Sequence, residues 1–162
     1  MRLSEGVEWT VHCCTMLAGL PPDKAMSAKK LAEFFDVPPD YLAKHMQQMS
    51  KAGIVQTKKG PNGGYSLAKP ARDITLLDMV EAIDGRICSF KCTEIRQRGP
   101  SGVSPCQYKT PCGIARAMRK ADQVWRDELR KTTLFDLQMI GLTETPPEQM
   151  NKAITWLKGL FK

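Results

Sequence analysis

The chain has 162 residues, a formal charge of +7, six cysteines and two histidines. That length accommodates one domain with an appended element rather than two independent cores, and no apolar run reaches the roughly 18 residues that a membrane-spanning helix needs. The start, Met1-Arg2-Leu3-Ser4-Glu5, lacks the charged and then apolar layout of a secretion signal, so a soluble, cytoplasmic protein is expected. In that compartment thiols stay reduced, which leaves metal binding, redox sensing or burial for the cysteines rather than a disulfide framework. The basic excess fits a polyanionic partner, because Lys and Arg that neutralise phosphates release condensed counterions.

In chain order, Ser4 to Leu20 reads as a first helix. Leu3, Val7, Thr10, Val11, Cys14, Leu17 and Ala18 form one apolar stripe, Trp9, Cys13, Met16 and Leu20 widen it, and only Glu5, Glu8, His12 and Thr15 form a polar wedge. A helix apolar around most of its circumference is buried on several sides. Pro21-Pro22-Asp23 ends it, and Ser27 is placed to cap a short helix through Phe35. Asp36-Val37-Pro38 forms a turn, and Pro39 to Ala52 is the next helix, with Leu42, Met46 and Met49 inward and Gly53 as its stop. Two short helices around a tight turn predict a helix-turn-helix. Ile54 to Lys58 and Gly64 to Leu67 are strands around a glycine-rich turn, which predicts a wing.

Thr75 to Asp84 is predicted as a helix carrying Leu76, Leu77, Met79, Val80 and Ile83. Gly85 to Pro111 has little periodicity and holds Cys88, Cys92 and Cys106, with Cys112 just beyond it; a loop of that length in a compact protein implies a function. Pro111 opens a long helix in which Ile114, Met118, Ala121, Val124, Trp125 and Leu129 recur at three and four residues. So small a domain offers few places to bury that stripe, and a symmetric second copy is the natural solution. Thr132 or Thr133 caps a further helix through Met139, and the tail after Pro146-Pro147 is amphipathic on Met150, Ile154, Leu157 and Phe161.

Met1-Arg2-Leu3-Ser4, the wing Lys59-Gly60-Pro61-Asn62-Gly63-Gly64-Tyr65, Ile74-Thr75-Leu76 and the later cysteines resemble the Rrf2 family, over roughly residues 1 to 140. That family includes iron-sulfur regulators of the IscR and NsrR type, and the resemblance implies a dimeric, winged-helix regulator of transcription. Gly6-Val7-Glu8-Trp9, His12-Cys13-Cys14, the run Cys92-Thr93-Glu94-Ile95-Arg96-Gln97-Arg98-Gly99-Pro100 and Ile114-Ala115-Arg116-Ala117-Met118 bring it nearest to the family's redox-sensing RsrR branch. The cofactor this implies is a 2Fe-2S cluster used as a redox switch.

Such a cluster needs four protein ligands, chiefly soft, deprotonated sulfur. Cys88, Cys92, Cys106 and Cys112 supply enough thiols, and the spacing of Cys106 and Cys112 matches the last two cysteines of IscR-type members. Thirteen residues, however, separate Cys92 from Cys106, and Ala115 stands where those members carry a histidine. Glu8 and His12 lie four apart on one helix and point the same way. The resemblance to the RsrR branch therefore implies Cys92 and Cys112 from one subunit with Glu8 and His12 from the other, and Cys88 and Cys106 as alternative ligands. A 4Fe-4S cluster, zinc on four thiols, or a bare thiol switch without metal remain alternatives.

In helix-turn-helix docking the second helix enters the major groove of double-stranded DNA, which makes Pro39, Asp40, Tyr41, Lys44, His45 and Gln48 the candidates for base edges. Lys44 and Gln48 are expected on one exposed face. Lys29, Lys30 and Lys51 are candidates for phosphate contact, and Lys58, Lys59 and Asn62 for contact through the wing. The fold expected is mainly α with a small β-hairpin wing, a winged helix-turn-helix plus a long dimerisation helix. Its parts are a DNA-binding domain over 1–84, a cysteine-bearing loop over 85–111, a dimerisation region over 112–140 built on the helix Ile114 to Lys131, and a tail over 141–162. An enzyme is not expected, since no phosphate-binding glycine loop, Ser/His/Asp arrangement or Cys-x-x-Cys redox pair is present.

Overall fold

The computed structural model describes residues 2–60, 63–86 and 88–161. Seven helices and one hairpin are present among them: α1 (Glu5–Ala18), α2 (Ala28–Phe35), α3 (Pro39–Lys51), β1 (Val55–Lys58), β2 (Gly64–Leu67), α4 (Leu76–Asp84), α5 (Gly113–Lys131), α6 (Leu134–Glu144) and α7 (Pro147–Leu160). The architecture is mainly helical with a two-stranded antiparallel sheet, as expected.

α1 is the centre of the core. Val7, Thr10, Cys13, Cys14 and Leu17 are buried against Leu31 and Ala32 of α2, Leu42, Met46 and Met49 of α3, Met79, Val80 and Ile83 of α4, and Leu134 of α6. The buried Thr10 hydroxyl donates to the Gly6 carbonyl at 2.7 Å, so its polar atom is satisfied inside the helix. Burial pushes the Cys13 thiol up to about 12 and raises Cys14 as well; both are packing residues without accessible thiolate chemistry. Glu5, Glu8 and His12 form the exposed wedge of the same helix.

The helix-turn-helix has the local chemistry its sequence requires. The Ser27 side chain accepts from the Lys30 amide at the start of α2. Asp36 closes that helix in the left-handed region (φ 51°), and the Val37 amide returns to the Ala32 carbonyl at 3.1 Å. In the wing, β1 and β2 pair from Val55↔Leu67 to Lys58↔Gly64. Tyr65 also exchanges two backbone hydrogen bonds with Met26 (2.8 and 3.0 Å), which ties the wing to the segment entering α2. Gly64 permits this approach: a Cβ there would stand 2.3 Å from the Met26 carbonyl carbon, and its φ of +149° is closed to side-chain-bearing residues.

α4 and α6 begin side by side. Thr75 with Asp78 and Thr133 with Asp136 each form a reciprocal capping box. Between them the Leu76 amide donates to the Thr132 carbonyl and the Leu134 amide to the Ile74 carbonyl, both at 2.8 Å. α6 continues past the expected Met139, through Gly141, to Glu144, and stops where Pro146 disfavours helix at Thr145. α7 packs on the head through Trp156, whose ring lies 4.9 Å from Phe34 of α2. No helix among the described residues is long and apolar enough to cross a membrane.

Candidate nucleic-acid interface and cysteine site

Two surfaces carry the residues singled out above. On α3, the buried row Leu42, Met46 and Met49 fixes the opposite row as Asp40, Lys44, Gln47 and Lys51, all exposed together with Pro39 and Tyr41. Gln47 was not among the expected contacts. Part of its signal was available, since it sits seven residues after Asp40 and three after Lys44; by helical period alone it lies about as far from the apolar row as Gln48 does, on the other shoulder.

His45 and Gln48 do not share that face, which corrects the expected pairing of Gln48 with Lys44. A four-residue step turns about 40° past a full revolution, and this carries Gln48 from the solvent row toward α4. Its Nε2 donates to the Ile83 carbonyl at 3.4 Å, so Oε1 faces His45 and Nδ1 of that ring is the donor in the 2.9 Å bond between them. The His45 ring is half-buried, edge-on to Trp9 at 6.3 Å. It lies so close to Gly6 that a Cβ there would be 2.6 Å from it. These two side chains join α3 to α1 and α4.

The lysines also divide. Lys29, Lys51 and Lys59 are exposed, whereas the Lys30 ammonium pairs with Glu33 at 2.9 Å and Lys58 donates to the Pro22 carbonyl at 2.7 Å. Lys58 thus fastens the wing to the turn after α1. Asn62 lies outside the described residues.

The second surface is the cysteine loop between α4 and α5. Ser89 anchors its start, its amide donating to the Asp122 carboxylate on α5 at 3.3 Å and its hydroxyl to the same group. Two short 3-10 turns, Ile95–Gln97 and Pro105–Gln107, divide the rest. Cys88 and Cys106 are exposed; the former donates to the Phe90 carbonyl and the latter meets the Ser104 hydroxyl at 3.1 Å.

Cys92 and Cys112 are half-buried, and the segments that bear them are joined by the Arg96 side chain, which bonds both Glu94 and the Thr110 carbonyl. Cys112 occupies the N-cap of α5, so the expected helix start at Pro111 moves two residues on. The Ala115 amide holds its thiol below the ordinary range, with the Ile114 amide and the Cys92 side chain adding to the effect, although no full capping hydrogen bond closes there. Amides at a helix N-terminus favour the thiolate, which is the form that ligates metals and attacks electrophiles. Glu94 lies against the same pair. Its carboxyl is held below the ordinary range first by the Arg96 side chain and then by the Cys112 amide and the Cys92 thiol. Among the described residues, no group of three or more His, Cys, Asp and Glu side chains within the chain is arranged to hold a metal ion.

Glu8 and His12 stand one turn apart on the exposed wedge of α1, lining a shallow hollow with Leu3, Val7, Leu76 and Leu137. The His12 ring packs 5.7 Å from Phe35. On α5, Ala115 is buried while Met118, Trp125 and Leu129 are half-buried. α5 is held to α4 by an ion pair between Arg126 and Glu81. The remaining members of its expected stripe face outward: Ile114 is 65% exposed and Val124 61%.

Comparison with known proteins agrees with this architecture. The sequence profile of the Rrf2 family, described as "Iron-dependent Transcriptional regulator", matches residues 3–139. The "Putative HTH-type transcriptional regulator YffB" of Lactococcus lactis is 31% identical over 148 residues, covering 91% of this chain and 88% of that protein. Among solved structures, IscR of T. potens superposes with a TM-score of 0.65 at 22% identity, covering 93% and 96% of the two chains. CymR, the global cysteine regulator of B. subtilis, gives 0.63 at 22% identity over 86% and 98%; at that identity both likenesses speak for the fold. With the family profile spanning the whole winged head, the cysteine loop and α5, the chain belongs to the Rrf2 family of transcriptional regulators.

Proposed function

We propose that two copies of this chain form an operator-binding regulator, most simply a repressor, whose DNA affinity follows the redox state of a 2Fe-2S cluster held between the subunits. One observation carries the proposal: Cys92 and Cys112, twenty positions apart in sequence, lie on segments that Arg96 ties together through Glu94 and Thr110, with Cys112 at the N-cap of α5. Two soft sulfur donors suit one iron, and a carboxylate with an imidazole one turn apart, Glu8 and His12, suits the other. The exposed Ile114 and Val124 side chains on α5 support a helical dimer seam that brings the two pairs together. A cluster with mixed ligands supplies a one-electron change of charge, at a higher potential than four thiolates give.

On the DNA side, Pro39, Asp40, Tyr41, Lys44 and Gln47 are assigned to base edges in the major groove, with Lys29, Lys51 and Lys59 on phosphates. The domain assignment follows: residues 1–84 read DNA, 85–111 carry the redox site and α5 dimerises. A thiol switch is a second reading, favoured by the same joining of the two segments: a disulfide oxidant would take two electrons and two protons from Cys92 and Cys112, leaving them as a disulfide and itself as two thiols.

The test is anaerobic purification with absorbance, iron and sulfide assays on wild type and on Cys92→Ala, Cys112→Ala, Glu8→Ala and His12→Ala. A coloured dimer with about two irons and two sulfides per site, lost or altered in all four variants, supports the cross-subunit cluster. A colourless protein made under cluster-loading conditions removes it. If operator binding then changes on oxidation of the thiols, the thiol switch stands.

A further inference from the structure

The segments that bear Cys92 and Cys112 lie side by side although no regular secondary structure joins them. The loop folds back on itself around one side chain. Nε of Arg96 donates to the Glu94 carboxylate at 2.8 Å, and Nη2 donates to the Thr110 carbonyl at 2.8 Å. Its guanidinium carbon lies 4.5 Å from the centre of the Tyr108 ring, and the Tyr108 hydroxyl donates back to the Arg96 carbonyl at 2.7 Å.

Glu94 follows Cys92 by two residues and Thr110 precedes Cys112 by two, so the fork of a single guanidinium bridges the segments that bear the two thiols. Glu94 itself sits in the left-handed region (φ 50°), a conformation unfavourable for glutamate. Its carboxylate is thereby brought into reach of Arg96.

We propose that Arg96, seated on Tyr108 and forked between Glu94 and Thr110, is a positioning residue that sets the separation of the Cys92 and Cys112 thiols. It adds to the redox-site reading above by naming what pre-organises that site. The guanidinium is required for its shape, since an ammonium is a point charge that cannot reach the carboxylate and the carbonyl in fixed planar geometry while stacking on a ring. The clasp belongs to the metal-free chain and involves no ligand from a second subunit.

The experiment uses full-length, reduced, metal-free protein carrying Cys88→Ser and Cys106→Ser, so that Cys92 and Cys112 are the reactive thiols and Cys13 and Cys14 stay buried. Dibromobimane, which becomes fluorescent when it bridges two neighbouring thiols, reports their separation, and monobromobimane reports the reactivity of each alone. Bridging relative to single alkylation is expected to fall about ten-fold or more in Arg96→Ala. A similar fall is expected in Arg96→Lys and a smaller one in Tyr108→Phe, each taken relative to that variant's own single-alkylation rate and with circular dichroism unchanged. Bridging at the wild-type rate in Arg96→Ala overturns the proposal, and full rescue by Arg96→Lys overturns the role of the fork. If Arg96→Ala does not fold, Tyr108→Phe decides: unchanged bridging there overturns the clasp. A wild type that takes up no iron or sulfide under cluster-loading conditions, yet bridges and loses bridging in Arg96→Ala as above, would sink the cluster and leave the clasp intact.

Discussion

Replacing Gly64 by alanine tests how the wing is mounted on the reading head. The new methyl group would stand 2.3 Å from the Met26 carbonyl carbon, 2.4 Å from its oxygen and 2.5 Å from the Ser27 nitrogen, all of them backbone atoms that cannot swing aside. Relief requires the wing to move off the Ala25–Ser27 segment, which breaks both Met26–Tyr65 hydrogen bonds. Two such bonds are worth about 2 kcal/mol, and a glycine-only backbone conformation adds roughly 1–3 kcal/mol for alanine. The expected loss is therefore about 3–5 kcal/mol, against a total stability on the order of 5–15 kcal/mol for a domain of this class. Urea denaturation of Gly64→Ala, followed by circular dichroism, measures it. Gly53→Ala is the control: Gly53 also has positive φ (+70°) but nothing within 4 Å of its Cβ position, so its cost is the backbone strain alone, about 1–2 kcal/mol. If Gly64→Ala proves no more costly than Gly53→Ala, the close approach is not what selects glycine in the wing.

Three other expectations follow from named contacts. Glu81→Gln removes the charge that faces Arg126, whose side chain is 11% exposed; a stability loss of about 1–3 kcal/mol is expected, and denaturation indistinguishable from wild type would show that α5 is held to α4 by packing alone. Lys44→Ala and Gln47→Ala should each weaken operator binding by about 1–3 kcal/mol, whereas Gln48→Ala should lower stability first; a gel-shift series in which only Gln48 matters would reverse the assignment of faces. The Asp136 carboxyl is held below the ordinary range, first by the Thr133 side chain and then by its amide, so its capping is fully present above about pH 4 and is lost as pH falls through the lowered folded value. Asp136→Asn should therefore be less stable at neutral pH and lose less on acidification, which thermal melts from pH 7 to pH 3 would show.

Much of the fold was legible because it rests on local rules. Ser27 and Thr75 cap helices where expected, Asp36-Val37-Pro38 makes the turn of the helix-turn-helix, and the apolar row of α3 falls on Leu42, Met46 and Met49 as the period requires. The orientation of Gln48 was not legible, since a residue on the shoulder of a helix goes to solvent or to a neighbour according to where that neighbour lies, and the position of the Ile83 carbonyl is a tertiary fact. The same holds for Lys58, a wing cation by sequence that is claimed by the Pro22 carbonyl. In the cysteine loop the thiols could be named but not paired by spacing alone. What brings Cys92 toward Cys112 is a cluster of side chains around Arg96, with no periodicity to announce it.

α4 is where the two surfaces meet. Near its C-terminal end the Ile83 carbonyl accepts from Gln48 of α3, and the next residue, Asp84, accepts from the backbone amide and hydroxyl of Ser4 at the start of α1. One turn earlier Glu81 pairs with Arg126 of α5. Gly85 then leaves the helix with φ +73°, a turn open to glycine, and the cysteine loop begins. Within four residues, 81 to 84, one short helix thus touches the helix assigned to DNA, the helix that carries Glu8 and His12, and the helix whose N-terminus carries Cys112. Beside the apolar packing of Ile83, the contacts to α1 and α3 at this end are made by a carboxylate and a backbone carbonyl. Hydrogen bonds of that kind, at a helix end next to a loop, can be exchanged for others at little net cost. The Met79 and Val80 side chains of the same helix remain locked in the core. Packed into the core through Met79, Val80 and Ile83 and hydrogen-bonded at its end, α4 is the element that contacts α1, α3 and α5 and leads directly into the cysteine loop.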